Sequence, residues 1–244
     1  MHQFYCPHSD LSLKQIVISE KNELHHLRDV LRLKKDDIVY LFDGKGKEAS
    51  GILLTVTAQK AAIEIHNVKQ FKREKPLIFL ACALPKKSKF EMIIEKATEL
   101  GVDEIIPLKT DRTEIKLTDS RQAKKQLRYQ TIAINASKQA KRAIVPVIHP
   151  IADFTYALDH LTKTTAAIIP SLMENTENLF SAFKKIQSPE AISFLIGPEG
   201  DFTPQEYAQA QQKGCLPVTL GKTILKVETA ALCALSGANL FFRT

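Results

Sequence analysis

Near the C-terminus two segments share one design: an apolar run, a break at glycine, then a helix-like pattern with a glutamate close to the break. The first is Phe194-Leu-Ile-Gly-Pro-Glu-Gly-Asp-Phe-Thr-Pro-Gln-Glu206, and the second is Leu220-Gly-Lys-Thr-Ile-Leu-Lys-Val-Glu-Thr-Ala230. Glycine reaches backbone angles closed to other residues and lets a ligand approach the main chain. Phe194-Leu-Ile196 has the apolarity of a buried parallel strand. Thr203-Pro-Gln-Glu206 has the form of a helix start, with Thr as N-cap, Pro first and Glu third. The loop between them, 197–202, then lies at a strand's C-terminal end, where open α/β sheets place ligands. Either segment alone is equally a structural strand–turn–helix. The pair predicts two neighbouring loops that wall one small-molecule pocket.

The N-terminal part follows another pattern. Ile16-Val-Ile18, 37–42, 51–56 and 61–65 are short strand-like runs between turn signals. Asp43-Gly44 with Gly46 reads as a hairpin connection. A helix over 22–33 places Leu24, Leu27, Val30 and Leu31 on one face, and His25, Arg28 and Arg32 on the others. These elements predict a small barrel. The charged Phe71-Lys-Arg-Glu-Lys-Pro76 marks a boundary, giving domains over 1–72 and 73–244. Beyond it, 77–81, 104–108 and 166–169 read as strands. Ser88-Lys-Phe-Glu91 is a capping box for a helix reaching Leu100, with Gly101 as its stop. Residues 121–140 read as a long basic helix. Strands alternating with helices predict a parallel sheet and the α/β class.

The remaining chemistry is bounded by what the chain lacks. No apolar run is long enough to span a bilayer, and the first residues lack the basic start and apolar core of a secretory signal. A cytoplasmic protein is expected. Cys6, Cys82, Cys215 and Cys233 are scattered, without zinc spacing among Cys and His. No metal is expected, and the thiols suit a reducing compartment. No GxGxxG follows a strand and no GxxxxGK[ST] is present. Of a net charge of +7, the stretch 109–142 holds ten Lys/Arg against three Asp/Glu, leaving the rest in balance at 24 each. That surplus is the footprint of phosphate binding, or else a solvated basic helix face. Glu199 and Glu228 either face a cationic ligand or bind backbone N–H groups at a helix start.

Gly197-Pro-Glu-Gly200 with Phe202 and Glu206, then Leu220-Gly221 and Ile224-Leu-Lys-Val-Glu-Thr-Ala230, resemble the C-terminal motifs of the SPOUT methyltransferases. They are most similar to those of the bacterial 16S ribosomal RNA uridine-N3-methyltransferases, the RsmE family. The likeness runs the length of the chain. His26-Leu-Arg-Asp-Val-Leu-Arg-Leu33 and Leu41-Phe-Asp-Gly44 resemble the family's PUA-like barrel, and Ala83-Leu-Pro-Lys86, Lys96-Ala-Thr-Glu-Leu-Gly-Val102 and Gln139-Ala-Lys-Arg142 its central stretches.

The resemblance implies a trefoil-knotted α/β SPOUT domain behind an N-terminal PUA-like β-barrel. It implies S-adenosylmethionine as cofactor, a homodimer, and 16S rRNA or the small ribosomal subunit as partner. Methyl transfer to N3 of a uridine is the implied reaction. The cofactor is expected against Ile169, Pro170, Ser171 and Leu172, against Ile196, Gly197, Pro198, Glu199, Gly200 and Asp201, and against Leu220, Gly221, Ile224 and Leu225. Lys226 and Arg142 are candidate cations for charge developing on the uracil carbonyls. Glu199 and Glu228 are candidates for proton removal or cofactor orientation. Arg28, Arg32, Arg112, Lys124, Lys125, Arg128, Lys141 and Arg142 are candidate RNA contacts.

Four residues depart from the family pattern. Asp201 stands where a second glycine is common and Lys226 where arginine is common. Lys138 and Lys141 replace an acidic residue and a glycine. Aspartate tolerates left-handed backbone better than most residues. From Thr229 the chain is uncharged until Arg243, so an all-round apolar helix is expected at a dimer interface. Ala234, Ser236, Gly237 and Ala238 would allow close approach there. Two other readings use the same features: a non-catalytic RNA-binding ribosome assembly factor, and a SPOUT methyltransferase acting on another RNA site. Cofactor binding separates the first of these from an enzyme.

Overall fold

The structure, a computed structural model, describes residues 3–85, 89–113, 119–163, 166–172 and 176–243. Lys86 and the expected cap residue Ser88 lie outside these. The chain forms two compact units, Met1–Arg73 with Ser137–Val145, and Glu74–Ala136 with Pro146–Thr244. The return of Ser137–Val145 to the first unit has no counterpart in the sequence expectation.

The first unit comprises β1 (Gln3–Tyr5), β2 (Gln15–Ile18), α1 (Lys21–His25), β3 (Ile38–Phe42), β4 (Lys47–Val56) and β5 (Ala61–Gln70). Its sheet runs β1-β3-β4-β5-β2, with β1 parallel to β3 and the other pairs antiparallel. The β4–β5 register shifts between Ser50 and Gly51 and again between Leu53 and Thr55. Such bulges bend and twist a strand, which curls this sheet. At Gly51 an added Cβ would lie 2.2 Å from the Glu64 carbonyl oxygen, so only glycine fits between the strands. The enclosed face gathers Phe4, Leu11, Ile16, Val39, Leu41, Leu53 and Ile63. The expected turn at Asp43 is present: its Oδ1 accepts from Lys45 N at 2.7 Å and Lys47 N at 2.9 Å. Val145 N donates to Gly44 O at 3.0 Å, which fastens the returning segment.

The expected helix over 22–33 is corrected. An α-turn ends at His25 and a π-turn covers His26–Val30, with Leu31 N bonded to His26 O at 2.9 Å. A π-turn holds more residues per turn than an α-turn and rotates whatever follows it. Leu24 and Leu27 stay buried, but Val30 is turned out, 58% exposed. The four apolar residues therefore do not share a face.

The second unit contains β6 (Leu77–Ala83), α2 (Lys89–Glu99), β7 (Glu104–Lys109), α3 (Asp119–Ala140, its last turn counted with the first unit), β8 (Val147–Ile148), β9 (Ala152–Asp153), α4 (Phe154–Leu161), β10 (Ala166–Pro170), β11 (Glu177–Asn178), α5 (Leu179–Lys185), β12 (Ala191–Ile196), α6 (Pro204–Gln212), β13 (Leu216–Thr219) and α7 (Val227–Phe242). The strand order is β11-β13-β10-β12-β6-β7-β8, with β9 also on β7, and every pair is parallel. Helices cover both faces. Phe154, Leu158 and Leu161 of α4 with Tyr207 and Ala210 of α6 pack on Ala81, Ile106, Ala167, Ile169 and Leu195. On the other face α7 lies on β6 and β12 and against α2 and α5. Every residue of β12 is buried, as a central parallel strand requires.

Just past α7, Arg243 forms a buried ion pair with Asp103, each side chain 4% exposed. Its guanidinium also donates to Pro76 O and Gly101 O, and Asp103 accepts from Ile78 N at 2.9 Å. The first charge after the apolar helix therefore clamps that helix's end to the start of the sheet.

Candidate functional site

Three adjacent strands, β13, β10 and β12, end together on a cleft of about 640 Å³. Its walls come from the ends of β10 (Pro170, Ser171, Leu172), from the loop after β12 (Ile196, Gly197, Pro198, Glu199, Asp201) and from the loop after β13 (Thr219, Leu220, Gly221, Thr223, Ile224, Leu225), with Val227 and Ala230 of α7 behind. The parallel ladder carries all three chains to one edge: Ser171 N still bonds Val218 O at 2.8 Å beyond β10. Of the residues expected around a cofactor, two do not line this space. The Ile169 side chain sits in the sheet core. Gly200 lies against the Arg112 side chain. Thr219, Thr223, Val227 and Ala230 join the lining without having been singled out.

The loop after β12 is tied down on every side. Thr203 and Glu206 form the expected capping box, with Pro204 in the first turn of α6. Glu206, 4% exposed, also accepts from Asp111 N at 3.1 Å through its second oxygen. Arg112 Nη1 donates to Gly200 O and to Phe202 O. Asp111 and Arg112 follow β7, so that loop braces the one beside it. Arg112, expected at RNA, contributes Nη1 to this brace. Asp201 has φ 64°, the left-handed region that a glycine would otherwise occupy. Its Oδ1 accepts from Phe202 N and from the Tyr207 hydroxyl, each at 2.8 Å. The departure at Asp201 is thus built into the loop, and burial raises the Tyr207 hydroxyl well above the ordinary tyrosine range. Gly197 is needed for room: a Cβ would lie 3.2 Å from the Phe202 ring and 3.3 Å from its backbone nitrogen. A side chain there would press on Phe202.

The loop after β13 is held by little. Thr219 Oγ1 accepts from Gly221 N at 3.2 Å and donates to Gly221 O at 2.9 Å. Gly221 has φ 133°, a conformation of glycine, with open space where a Cβ would be. Gly221, Lys222, Thr223 and Ile224 are all exposed, Ile224 to 81%. Lys226 is the N-cap residue of α7, without a side-chain cap bond. Glu228, in the first turn of α7, pairs with Lys89 at 2.7 Å. That ammonium holds the Glu228 carboxyl below the usual carboxylate range. Burial raises the Cys82 thiol at the end of β6, and the charges of Glu228 and Glu199 raise it further. Both carboxylates therefore lie within electrostatic reach of one point, while Glu199 itself is exposed at the cleft.

The remaining expected residues are dispersed. Arg142 and Lys141 belong to the first unit, as do Arg28 and Arg32. Lys141 stands at φ 55°, which accounts for a glycine at that place in the resemblance. Lys138 pairs with the buried Glu23. Arg28 forks onto Asp29 with two bonds of 2.7 Å and reaches Ala58 O at 3.1 Å. With His25 also in contact, Asp29 is held down at about 2. Arg128 of α3 pairs with Glu91. Lys125 lies 6.0 Å over the Tyr129 ring. Among the described residues Lys124, Arg32 and Lys141 make no ion pair, so these three present their charge to solvent.

The pattern of the RNA methyltransferase domain family matches residues 73–239, and that of the RNA methyltransferase PUA domain matches 18–65. The chain is 33% identical over 222 residues to the ribosomal RNA small subunit methyltransferase E of Bacillus subtilis, covering 89% of this chain and 87% of that protein. It is 35% identical to the protein of the same name from Synechocystis, over 89% of this chain and 70% of the relative. The Neisseria gonorrhoeae ribosomal RNA small subunit methyltransferase E, solved bound to S-adenosyl methionine, superposes with a TM-score of 0.88 at 32% identity, over 99% of this chain and 98% of that one. With a curled PUA sheet, a parallel sheet covered by helices on both faces and a cleft at its strand ends, the chain belongs to the RNA methyltransferase family that includes the ribosomal RNA small subunit methyltransferase E proteins.

Proposed function

We propose that this protein transfers a methyl group from S-adenosylmethionine to N3 of a uridine in the RNA of the small ribosomal subunit. The reading includes a cytoplasmic homodimer and a trefoil-knotted C-terminal domain. One observation carries it: in a chain of this family, three adjacent strand ends open on a single cleft. The residues present fit the cofactor. Ile196, Leu225 and Val227 offer apolar surface for an adenine, the main chain at Gly197 and Gly221 can be approached closely, and Glu199 offers a carboxylate to a cation. S-adenosylmethionine supplies a methyl group on a positively charged sulfur.

The chain's own residues must deal with the proton on uridine N3. Glu199, exposed at the cleft, is assigned as its acceptor. Glu228 is the weaker base, because Lys89 holds its carboxyl low, and it is assigned to positioning the start of α7. Lys226 would face the charge that spreads onto the uracil carbonyls. Holding two reactants in one geometry is worth on the order of 7–11 kcal/mol of barrier. Lys124 and Lys125 of α3, with Arg32, Lys141 and Arg142 of the first unit, are assigned to phosphate.

The dimer rests on apolar surface. Leu240 of α7 is 65% exposed, and Ile224 in the loop before that helix is 81% exposed. Ala234 and Ala238 are buried within this chain, and Gly237 packs on Leu179, so those small residues do not supply the contact. Incubation with small-subunit particles and labelled S-adenosylmethionine, followed by mass analysis of nucleosides, tests the reading. 3-Methyluridine is expected. A label on a 2′-hydroxyl or another base would overturn the N3 assignment.

A further inference from the structure

At the opposite edge of the same sheet, three side chains from separate elements converge. Glu104 opens β7, His149 follows β8, and His160 lies in the last turn of α4. His149 Nε2 is 2.7 Å and His160 Nε2 3.1 Å from one and the same oxygen, Glu104 Oε2. The three atoms lie within 4.8 Å of one another. The side chains are 21%, 17% and 30% exposed, partly withdrawn from water yet reachable. The surroundings fix the rings. His149 and His160 meet edge-on at 4.9 Å, Tyr156 lies parallel to His160 at 11°, and the Phe79 ring lies 6.3 Å from that of His160. The backbone N–H of His149 is bound to Ile105 O at 2.9 Å.

From this convergence we propose that Glu104, His149 and His160 form a binding site for a divalent transition metal, zinc by preference. Two imidazole nitrogens and one carboxylate oxygen are the ligand types of zinc, which takes them at about 2.0–2.2 Å and in tetrahedral geometry sets ligand atoms roughly 3.3 Å apart. The observed 2.7 and 3.1 Å are close to that spacing, so a small outward movement of the rings admits the ion. Magnesium and calcium favour oxygen-only shells, and imidazole selects against them. Three protein ligands leave a fourth position for water. The three ligands come from three elements, so the ion's part is structural: it ties α4 to the edge strands β7 and β8. Sequence spacing does not announce it, because the nearest two ligands belong to different elements and the third is on an earlier strand.

The test uses the full chain, stripped by chelator and titrated with zinc chloride by calorimetry, with cobalt(II) as a spectroscopic substitute. One zinc per chain is expected, with visible cobalt bands of a four-coordinate site and a rise in melting temperature. Glu104→Gln and His149→Ala should each weaken zinc by roughly 100-fold or more, given that even outer partners of ligands change affinity 10–100-fold. Cys233→Ser and His66→Ala serve as controls and should leave binding intact. A measurement without mutation guards against variants that fail to fold. Diethyl pyrocarbonate labelling, mapped by mass, should find His149 and His160 shielded by equimolar zinc while His8 and His66 stay reactive. Equal reactivity of all four with and without zinc would overturn the proposal, as would unchanged affinity in folded Glu104→Gln. The trio would then be a hydrogen-bonded cluster only.

Discussion

The two glycine-bearing loops look alike in sequence and are built oppositely. The loop after β12 is anchored by a buried Glu206, by Arg112 on its carbonyls, and by Asp201 held to Tyr207. The loop after β13 has one threonine bridging its own turn and four consecutive exposed residues. One wall of the cleft is therefore preformed and the other is free to close. Few buried contacts and exposed backbone mark the low-stability end of a fold, from which binding loops are drawn. At the proposed site a cofactor would enter past the second wall and be oriented by the first.

The largest effect expected is at the anchored wall. Glu206→Ala removes the returning half of the capping box and leaves both Thr203 N and Asp111 N without their charged acceptor, which should cost about 2–4 kcal/mol of stability. Chemical denaturation measures it, and a cost as small as that of Thr219→Ala on the second loop would erase the contrast. Next is Gly221→Ala. There is room for the methyl group but not for the backbone angle, so about 1–3 kcal/mol of strain is expected. It should show as weaker cofactor binding in calorimetry together with a melting temperature lowered by less than Glu206→Ala lowers it. Binding that matches the parent would mean the second loop's shape is not used.

Smaller still is the ion pair behind the second loop. Lys89 lowers the folded-state pKa of Glu228, so the pair's contribution is full above the ordinary carboxylate range and fades as pH falls through the lowered value. Lys89→Met should return the Glu228 titration upward in carbon-13 NMR, with roughly 1 kcal/mol or less of stability lost. An unmoved titration would contradict the assigned cause. The smallest effect belongs to Asp201→Gly. It relieves left-handed strain but removes the partner of the Tyr207 hydroxyl, so the two offset to within about 1 kcal/mol.

What was legible in the sequence was local. Thr203-Pro-Gln-Glu206 announced its cap because all partners lie within one turn, and the Asp43 turn likewise. Caps of the same kind at Asp153 and Asn178 start α4 and α5, and their partners too lie within one turn. What stayed hidden was long-range. Arg112 bonds Gly200 O, 88 residues away, and Lys138 meets Glu23, 115 away. Arg112 is expected at RNA and Lys138 stands out only as a departure from an acidic residue, since lysine and arginine look the same in sequence whether solvated or paired. The π-turn after His25 has no residue signature, and it turned Val30 outward. The apolarity of α7 was read as an interface, yet half of it is accounted for by its own sheet.

Amide hydrogen exchange followed by mass spectrometry, with and without S-adenosylmethionine, tests the contrast between the walls most directly. The account predicts that residues 197–202 are protected before cofactor is added and change little, whereas 220–225 exchange fast alone and gain protection on binding. Slow exchange confined to 220–225 in the free protein, or no change in either segment at saturating cofactor, would contradict it.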